Sequence, residues 1–460
     1  MMQNEWNTRY QGKRVMVLGM ARSGVAAAKL LHSLHATPVL NDTKNKEQLA
    51  NVVKELEEFP IEWRLGENAV EVLDTCDILL ISPGVPLDAP VIKKAQEQGK
   101  YVVGELEFAS QFLKGDMLCI TGTNGKTTTV TLLGEILKNA GYTTHVAGNI
   151  GYPLSSVALS SKEGEVTVVE VSSFQLETMD HMHPKISALL NVTPDHLERH
   201  HTMSEYIRLK KRLFENQNSS EVAVLNAEDA VCQEVTKEYP CKPFFFSSKQ
   251  TLKEGICLQG DIVTIFSNGE KVEIIQKDKI KIPGEHNLEN AMVATAMAYQ
   301  YGVSKEVIAK TLQEFSGVEH RIEFVKQVRG VSYINDSKGT NEASTIKAVQ
   351  AVTAKTYLIL GGYDKHVSFE SLAKVICSSS HIQEVLLIGQ TAPQIRRELA
   401  QEGYEAMKDF ATLEETVQYV GEHAKHGETV LFSPACASFD MFKDYEQRGR
   451  IFKALVHALD

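Results

Sequence analysis

The sequence predicts an α/β protein of three domains, spanning 1–105, 106–317 and 318–460. Three observations lead there. Apolar strand-like runs alternate with helix-like runs along nearly the whole chain, the pattern of parallel βαβ units. A glycine loop opens a helix directly after an apolar strand near residue 121. The length of 460 residues allows two to four domains at roughly 100–200 residues each.

In the first module RVMVLG reads as a strand, SGVAAAKLLHSL as a helix, PVLND and DILLISPGV as strands, APVIKKAQEQG as a helix, and YVVG as the closing strand. This is a Rossmann-like order. The second module starts at MLCITGTNGKTTTVTLLGEIL, a phosphate-loop arrangement, and continues through VTVVEVSSFQ, KISALLNVT and EVAVLN. Between Ile256 and Gln276 the texture changes to alternating runs, and the Asn268-Gly269 pair signals a hairpin. The helix NLENAMVATAMAYQYG then closes the module near Gly317. The third module begins around Val318, with VSYIND, TYLILGG, EVLLIG and ETVLFSPA as strands of a second Rossmann-like sheet. The modules share no short repeat and read as separate folds.

A hydrophobic fraction of 43% lets every domain bury a core. The net charge of −11 argues against a nucleic-acid partner, which needs a basic face. It leaves room for a local basic phosphate pocket. The opening residues MMQNEWNTRYQGKR lack the apolar region of a signal peptide, and no apolar run reaches the roughly 18 residues of a membrane span. No membrane association is expected. The seven cysteines form no CxxC pair, which suits reduced thiols of a cytoplasmic protein better than disulfides or a zinc site.

Residues Thr121–Thr128 read TGTNGKTT. Strand, glycine loop and helix are the setting a phosphate loop requires. Gly122 and Gly125 let the backbone curl so that its N–H groups face an anion, and the helix N-terminus adds partial positive charge. Lys126 is placed to reach the β- and γ-phosphates of a nucleotide, and the Thr127 hydroxyl to bind magnesium. The strict GxxxxGK[ST] pattern fails, because Ile120 stands where its first glycine belongs. The bland alternative is a surface loop that happens to read GKT. Gly19–Gly24, GMARSG, imitates a dinucleotide fingerprint with Asp42 about twenty residues on, but Ala21 replaces the middle glycine. An NAD-dependent oxidoreductase would leave TGTNGKTT and the third domain unexplained. A GTPase switch would need an NKxD motif that the chain lacks.

TGTNGKTT resembles the loop of the Mur ligase and folylpolyglutamate synthetase superfamily. The likeness extends through GNIG (148–151), EVSSFQLE (170–177), NVTPDHLERH (191–200), GEHNLENA (284–291), HRIE (320–323), NDSKGTN (335–341), GGYDK (361–365) and SPACASFDMFKDYEQRG (433–449), in family order. NDSKGTN and SPACASFD look like the branch that adds D-glutamate to UDP-N-acetylmuramoyl-L-alanine. A folylpolyglutamate synthetase would lack a UDP-type N-terminal domain of this length.

The resemblance implies an ATP- and magnesium-dependent amide ligase of peptidoglycan synthesis, acting on small molecules and expected to be a monomer. It implies that Gly122, Thr123, Asn124, Gly125, Lys126, Thr127 and Thr128 hold the ATP phosphates. Asn287 and Asn290, at (i, i+3) on one helix face, resemble an adenine-side pair, while Arg321 and Asp336 resemble groups for phosphate and ribose. Arg22 and Ser23 fall near the UDP diphosphate, Asp42 and Thr43 near uracil, and Asn149 and Gln175 near the sugar. Lys338, Thr340, Lys365, Ser438 and Phe439 resemble the D-glutamate pocket. Glu170, with Thr127, resembles a magnesium ligand, though it also reads as a carboxylate capping the next helix. His196 resembles a residue at a second magnesium; His200 and His201 do not match and read as solvated. Lys210 resembles a lysine that CO2 carbamylates, turning a cation into an anionic magnesium ligand. The neighbouring Lys211 leaves that register open by one residue.

Overall fold

A strand buried on both faces must be apolar along its whole length, and Arg14–Leu18 (RVMVL) meets that demand with all three of its inner residues buried. In the computed structural model, which describes residues 2–282, 284–364 and 367–459, this strand lies mid-sheet. Five parallel strands run in the order Glu62–Trp63, Thr37–Asn41, Arg14–Leu18, Ile78–Ile81, Tyr101–Gly104. The order reverses on either side of Arg14–Leu18, so the mouth of the sheet opens at its carboxyl end, beside Gly19 and Ser82.

The second sheet has nine strands, in the order Glu270–Gln276, Ile262–Ser267, Gly255–Gln259, Lys242–Ser247, Val222–Asn226, Ile186–Leu189, Asp116–Thr121, Val166–Glu170, Thr144–Gly148. The last three in chain order form the antiparallel hairpin stretch, and the turn at Asn268-Gly269 takes positive φ at both residues, as a tight hairpin turn requires. The remaining strands pair in parallel. The third sheet runs Glu323–Val328, Val331–Asn335, Thr429–Phe432, Thr356–Leu360, Ile382–Leu387, Met407–Asp409, parallel except for its first strand.

The chain divides into two compact units, Met1–Phe315 and Ser316–Asp460. Within the first, one apolar core runs from Val15, Val17 and Leu80 of the first sheet through Leu106 and Phe108 to Val169, Leu189 and Leu225 of the second. Glu107 ties the same junction: its buried carboxylate accepts the N–H groups of Asp180, His181 and Met182 at 3.0 Å each. The first two sheets are therefore fixed against each other by apolar packing and by an anchored loop. Among the described residues no helix is long and apolar enough to cross a membrane.

Candidate functional site

The strand Asp116–Thr121 delivers the glycine loop, and Lys126–Asn139 is the helix it opens. Gly125 sits at φ +88°, and a Cβ there would lie 2.2 Å from Asn290 Oδ1. Only glycine satisfies both the left-handed backbone and that approach. The loop is braced from beneath. The Thr123 hydroxyl donates to the Thr193 carbonyl at 3.1 Å, and the Asn124 N–H donates to Asn191 Oδ1 at 2.9 Å. Thr127 and Thr128 are buried at the start of the helix. Lys126 donates to the carbonyls of Gly122 and Thr123 at 2.8 and 2.9 Å, so its ammonium lies within the loop. The helix Glu285–Gln300 brings Asn287 and Asn290 alongside: Asn290 Nδ2 donates to Asn287 Oδ1 at 3.2 Å, and Asn290 Oδ1 accepts from Thr129 at 3.3 Å.

Lys210 belongs to the same cluster. It is 1% exposed, lies over the Tyr206 ring, and donates to the Gly122 carbonyl at 2.8 Å. Burial first, and the neighbouring Lys126 cation second, hold its ammonium pKa well below the usual lysine range; Asp195 and Glu170 act weakly in the other direction. Lys211 faces elsewhere, toward Glu234 and Glu238 at 3.2 and 2.6 Å.

Glu170 ends its strand fully buried. One carboxylate oxygen accepts from Asn149 at 2.9 Å, while Oε2 has no hydrogen-bond partner among the described residues. The capping role that the sequence left open belongs instead to Ser172, which forms a reciprocal capping box with Gln175. An orphaned buried carboxylate oxygen, on the strand paired with the one that delivers the glycine loop, fits a hard divalent cation such as magnesium. Protonated Lys210 does not fit a cation; a carbamate on the same nitrogen would. Among the described residues, no group of three or more His, Cys, Asp and Glu side chains is poised to hold a metal. His196 is exposed, at φ +52°, with Phe174 4.8 Å from its ring. His200 departs from the solvated reading: it is 3% exposed, and its ring nitrogens meet Ser173 Oγ at 2.9 Å and Glu177 at 3.5 Å. Burial lowers its pKa. Being the last residue of a turn that folds inward, it is packed against Phe174 and Tyr206.

Of the expected acceptor-side residues, Arg22, Ser23, Asp42 and Thr43 follow strands of the first sheet, and Asn149 and Gln175 follow strands of the second. Arg22 donates to the Gly151 carbonyl at 2.6 Å, linking the helix Arg22–Ser33 to GNIG. Asp42 accepts the Met20 N–H at 2.7 Å and the Lys44 N–H at 2.9 Å; Thr43 is exposed beside it and Ser23 is half-buried. Asn149 donates to Glu170 at 2.9 Å, joining the GNIG loop to the end of the strand Val166–Glu170. A shallow open cleft is lined by Ser82, Pro83, Val85, Phe174, Gln175 and Glu177, among others. The sequence reading missed Ser82–Val85. Its signal was a Ser-Pro-Gly turn at the carboxyl end of the apolar strand Ile78–Ile81, where open parallel sheets place ligands.

In the second unit Asp336 is 4% exposed; its oxygens accept from the Ile322 N–H at 3.2 Å and from Ser433 Oγ at 2.5 Å. Burial pushes its pKa up to about 6, against the opposing effects of Ser433 and Arg321. Arg321 is exposed between two residues with positive φ, His320 and Ile322. Lys338 and Thr340 follow Asp336 on one loop, and Ser438 (buried) and Phe439 (exposed) sit on the loop after Thr429–Phe432. Arg448, which the sequence reading did not single out, joins the two loops: it donates to Ser337 Oγ, the Ser337 carbonyl and the Ala437 carbonyl at 3.0, 2.7 and 3.2 Å. Lys365 lies outside the described residues.

Three family descriptions match the chain: Mur ligase MurD-like, N-terminal domain, over residues 13–104; Mur ligase middle domain, over 120–298; and Mur ligase, glutamate ligase domain, over 320–436. The chain is 46% identical over 451 residues to the UDP-N-acetylmuramoylalanine--D-glutamate ligase of Thermoanaerobacter pseudethanolicus, covering 98% of this chain and 99% of that one. It is 41% identical over 451 residues to the protein of that name from Clostridioides difficile, with the same coverage of 98% and 99%. Among solved structures it resembles the UDP-N-acetylmuramate-alanine ligase MurC of Thermotoga maritima, with a TM-score of 0.60 at 18% identity, covering 97% of this chain and 100% of that one. That last likeness speaks for the fold alone.

Proposed function

The chain belongs to the Mur ligase family, and from that premise we propose that it is an ATP-dependent ligase joining UDP-N-acetylmuramoyl-L-alanine to D-glutamate through an amide bond, in peptidoglycan synthesis. The observation that carries this reading is the full-length likeness to D-glutamate ligases at 41–46% identity. The braced glycine loop, with two lysines on one carbonyl, supports it. We further propose the domain limits 1–105, 106–317 and 318–460, a monomer, and a cytoplasmic location.

A carboxylate is a poor electrophile, so the acceptor carboxylate is first phosphorylated by ATP to an acyl phosphate. The amine of D-glutamate then attacks and phosphate leaves. Catalysis of the first step is mostly positioning and charge stabilisation. The loop N–H groups of 122–128 face the phosphates, and Lys126 turns from its own loop carbonyls to the γ-phosphate. Asn287 and Asn290 border the adenine side, with Arg321 and Asp336 assigned to phosphate and ribose. Magnesium, when bound, neutralises phosphate charge; Thr127, Glu170, His196 and a carbamylated Lys210 are the residues assigned to hold it. The lowered basicity of Lys210 favours the neutral amine. That is the form whose nitrogen adds to the carbon of CO2, releasing one proton. Arg22, Ser23, Asp42, Thr43, Asn149 and Gln175 are assigned to the UDP-sugar. Lys338, Thr340, Lys365, Ser438 and Phe439 are assigned to D-glutamate, whose two carboxylates call for cations and hydroxyls.

Phosphate release tests the reading. It is expected only with ATP, magnesium, UDP-N-acetylmuramoyl-L-alanine and D-glutamate together. Turnover with L-lysine or meso-diaminopimelate in place of D-glutamate would assign the chain to another branch of the family.

A further inference from the structure

Arg199 is the point where the segment carrying His196 meets the wall of the acceptor cleft. It lies in the short helix Leu197–His200, bracketed by His196 at φ +52° and His201 at φ +64°. Two non-glycine residues in the left-handed region persist only where the surroundings determine them. The Arg199 side chain is one such determinant. Its guanidinium grips Glu177 with both arms, Nε to Oε1 at 3.0 Å and Nη2 to Oε2 at 2.6 Å. The same Nη2 donates to the Val85 carbonyl, 114 residues away in the first sheet's loop, at 2.9 Å. The ion pair is largely shielded, with side-chain exposures of 17% and 8%. The guanidinium also lies over the Phe174 ring, which on another side meets His196 and His200. Val85, Phe174 and Glu177 all line the cleft.

We propose that Arg199 is a positioning residue that couples the acceptor cleft to the His196 segment, so that filling the cleft fixes the segment. The inference rests on the proposed acceptor chemistry of that cleft. Arginine suits the task because its planar fork can hold a carboxylate bidentately and still reach a carbonyl. A lysine at the same place keeps the charge and loses the fork.

The experiment uses the full chain, without nucleotide or metal, and two variants, Arg199→Lys and Arg199→Ala. Binding of UDP-N-acetylmuramoyl-L-alanine is measured by calorimetry, and hydrogen exchange of residues 196–201 is followed with and without that compound. In the unsubstituted chain the compound is expected to slow exchange of this segment. In Arg199→Lys it still binds, roughly three- to tenfold more weakly, but the ligand-dependent slowing is lost. Arg199→Ala behaves likewise or more severely. A residue with a purely structural role would raise exchange equally in both states. Arg199→Lys with undiminished affinity and undiminished ligand-dependent protection would overturn the proposal, as would equal loss of protection in both states. If the unsubstituted chain fails to bind the compound at all, the proposed function falls with it; if it binds and the variants match it, only the role of Arg199 falls.

Discussion

Arg448→Met removes the largest fully buried side chain among the described residues and replaces it with an unbranched apolar one of lower volume. Three donated bonds disappear, to Ser337 Oγ, the Ser337 carbonyl and the Ala437 carbonyl. The Ala437 carbonyl keeps a second donor, the Tyr363 N–H at 2.9 Å, so it loses less. Bonds from a charged donor contribute about 1.5–3 kcal/mol each. Against that stands the burial of the guanidinium, which lowers its pKa to about 10 and is relieved by methionine. Leaving the two Ser337 acceptors without this donor costs about 1–3 kcal/mol each, and partial relief places the expectation near ~3 kcal/mol. That corresponds to roughly a hundredfold in a local opening equilibrium. Hydrogen exchange of the full chain reads it directly: segments 335–341 and 433–439 should exchange roughly a hundredfold faster, and the KM for D-glutamate should rise more than kcat falls. Exchange within twofold of the unsubstituted chain would refute the idea that Arg448 clamps these loops.

Three further outcomes are expected. Lys126→Ala should lower turnover by roughly 10²–10³-fold or more with its melting temperature nearly unchanged; near-normal phosphate release would remove the loop lysine from the mechanism. Lys210→Ala should be almost inactive and partly restored by acetate, whereas Lys211→Ala should stay active, having lost only its pairs to Glu234 and Glu238; steady-state rates with and without acetate decide this. Asp336 has its pKa raised from 3.8 to about 6, so the folded chain binds this proton more tightly than the unfolded one. Its contribution to stability is full below about pH 4 and is lost as pH rises through about 6, with a slope of at most about 1.36 kcal/mol per pH unit. Denaturant midpoints measured across that window should show the slope vanish in Asp336→Asn; parallel profiles would contradict it.

The strands that the sequence disclosed are those whose burial leaves no polar choice: RVMVL, ILLI, VTVVE, ISAL, VAVLN and TVLF are buried along most or all of their length. Those it did not disclose sit at or near sheet edges. Glu323–Val328 and Met407–Asp409 are the outer strands of the third sheet, and Thr144–Gly148 is an outer strand of the second. An edge strand faces solvent on one side, and its charged or small residues break the apolar run that marks a strand. Lys242–Ser247 is interior, but it begins Lys-Pro and its first two residues are exposed. A proline near the start of a run reads as a loop. The phosphate loop was legible because strand, glycines, lysine and helix are contiguous. The Ser82–Val85 wall, Arg199 and Arg448 were not, because each meets a partner far off in the chain, Ser82 to Gly19 at 63 residues, Arg199 to Val85 at 114 and Arg448 to Ser337 at 111, and a side chain's reach across the fold leaves no local pattern.

The choice between Lys210 and Lys211 shows where the two kinds of information meet. Lys210 and Lys211 are adjacent in the YIRLKK run, and neighbouring positions on a helix differ by about 100°, so a one-residue shift in register selects a different environment. The packing of the helix Met203–Lys211 supports the proposed choice of Lys210. Tyr206 is 1% exposed, and its hydroxyl lies 3.2 Å from Thr123 Oγ1, which sets the face turned to the phosphate loop. Lys210, four residues on, shares that face and meets Gly122. Lys211 turns toward the helix Ala230–Glu238 and finds carboxylates. Two lysines of one dipeptide thus acquire opposite chemistry. One has its basicity suppressed by burial and by Lys126, and the other has its cation favoured by two glutamates. An amine of suppressed basicity suits the carbamylation proposed for Lys210; a paired ammonium does not. The assignment therefore rests on which side of the helix Tyr206 anchors, and substituting Tyr206 with phenylalanine, which keeps the packing and removes only the hydroxyl, should leave Lys210 on the same face.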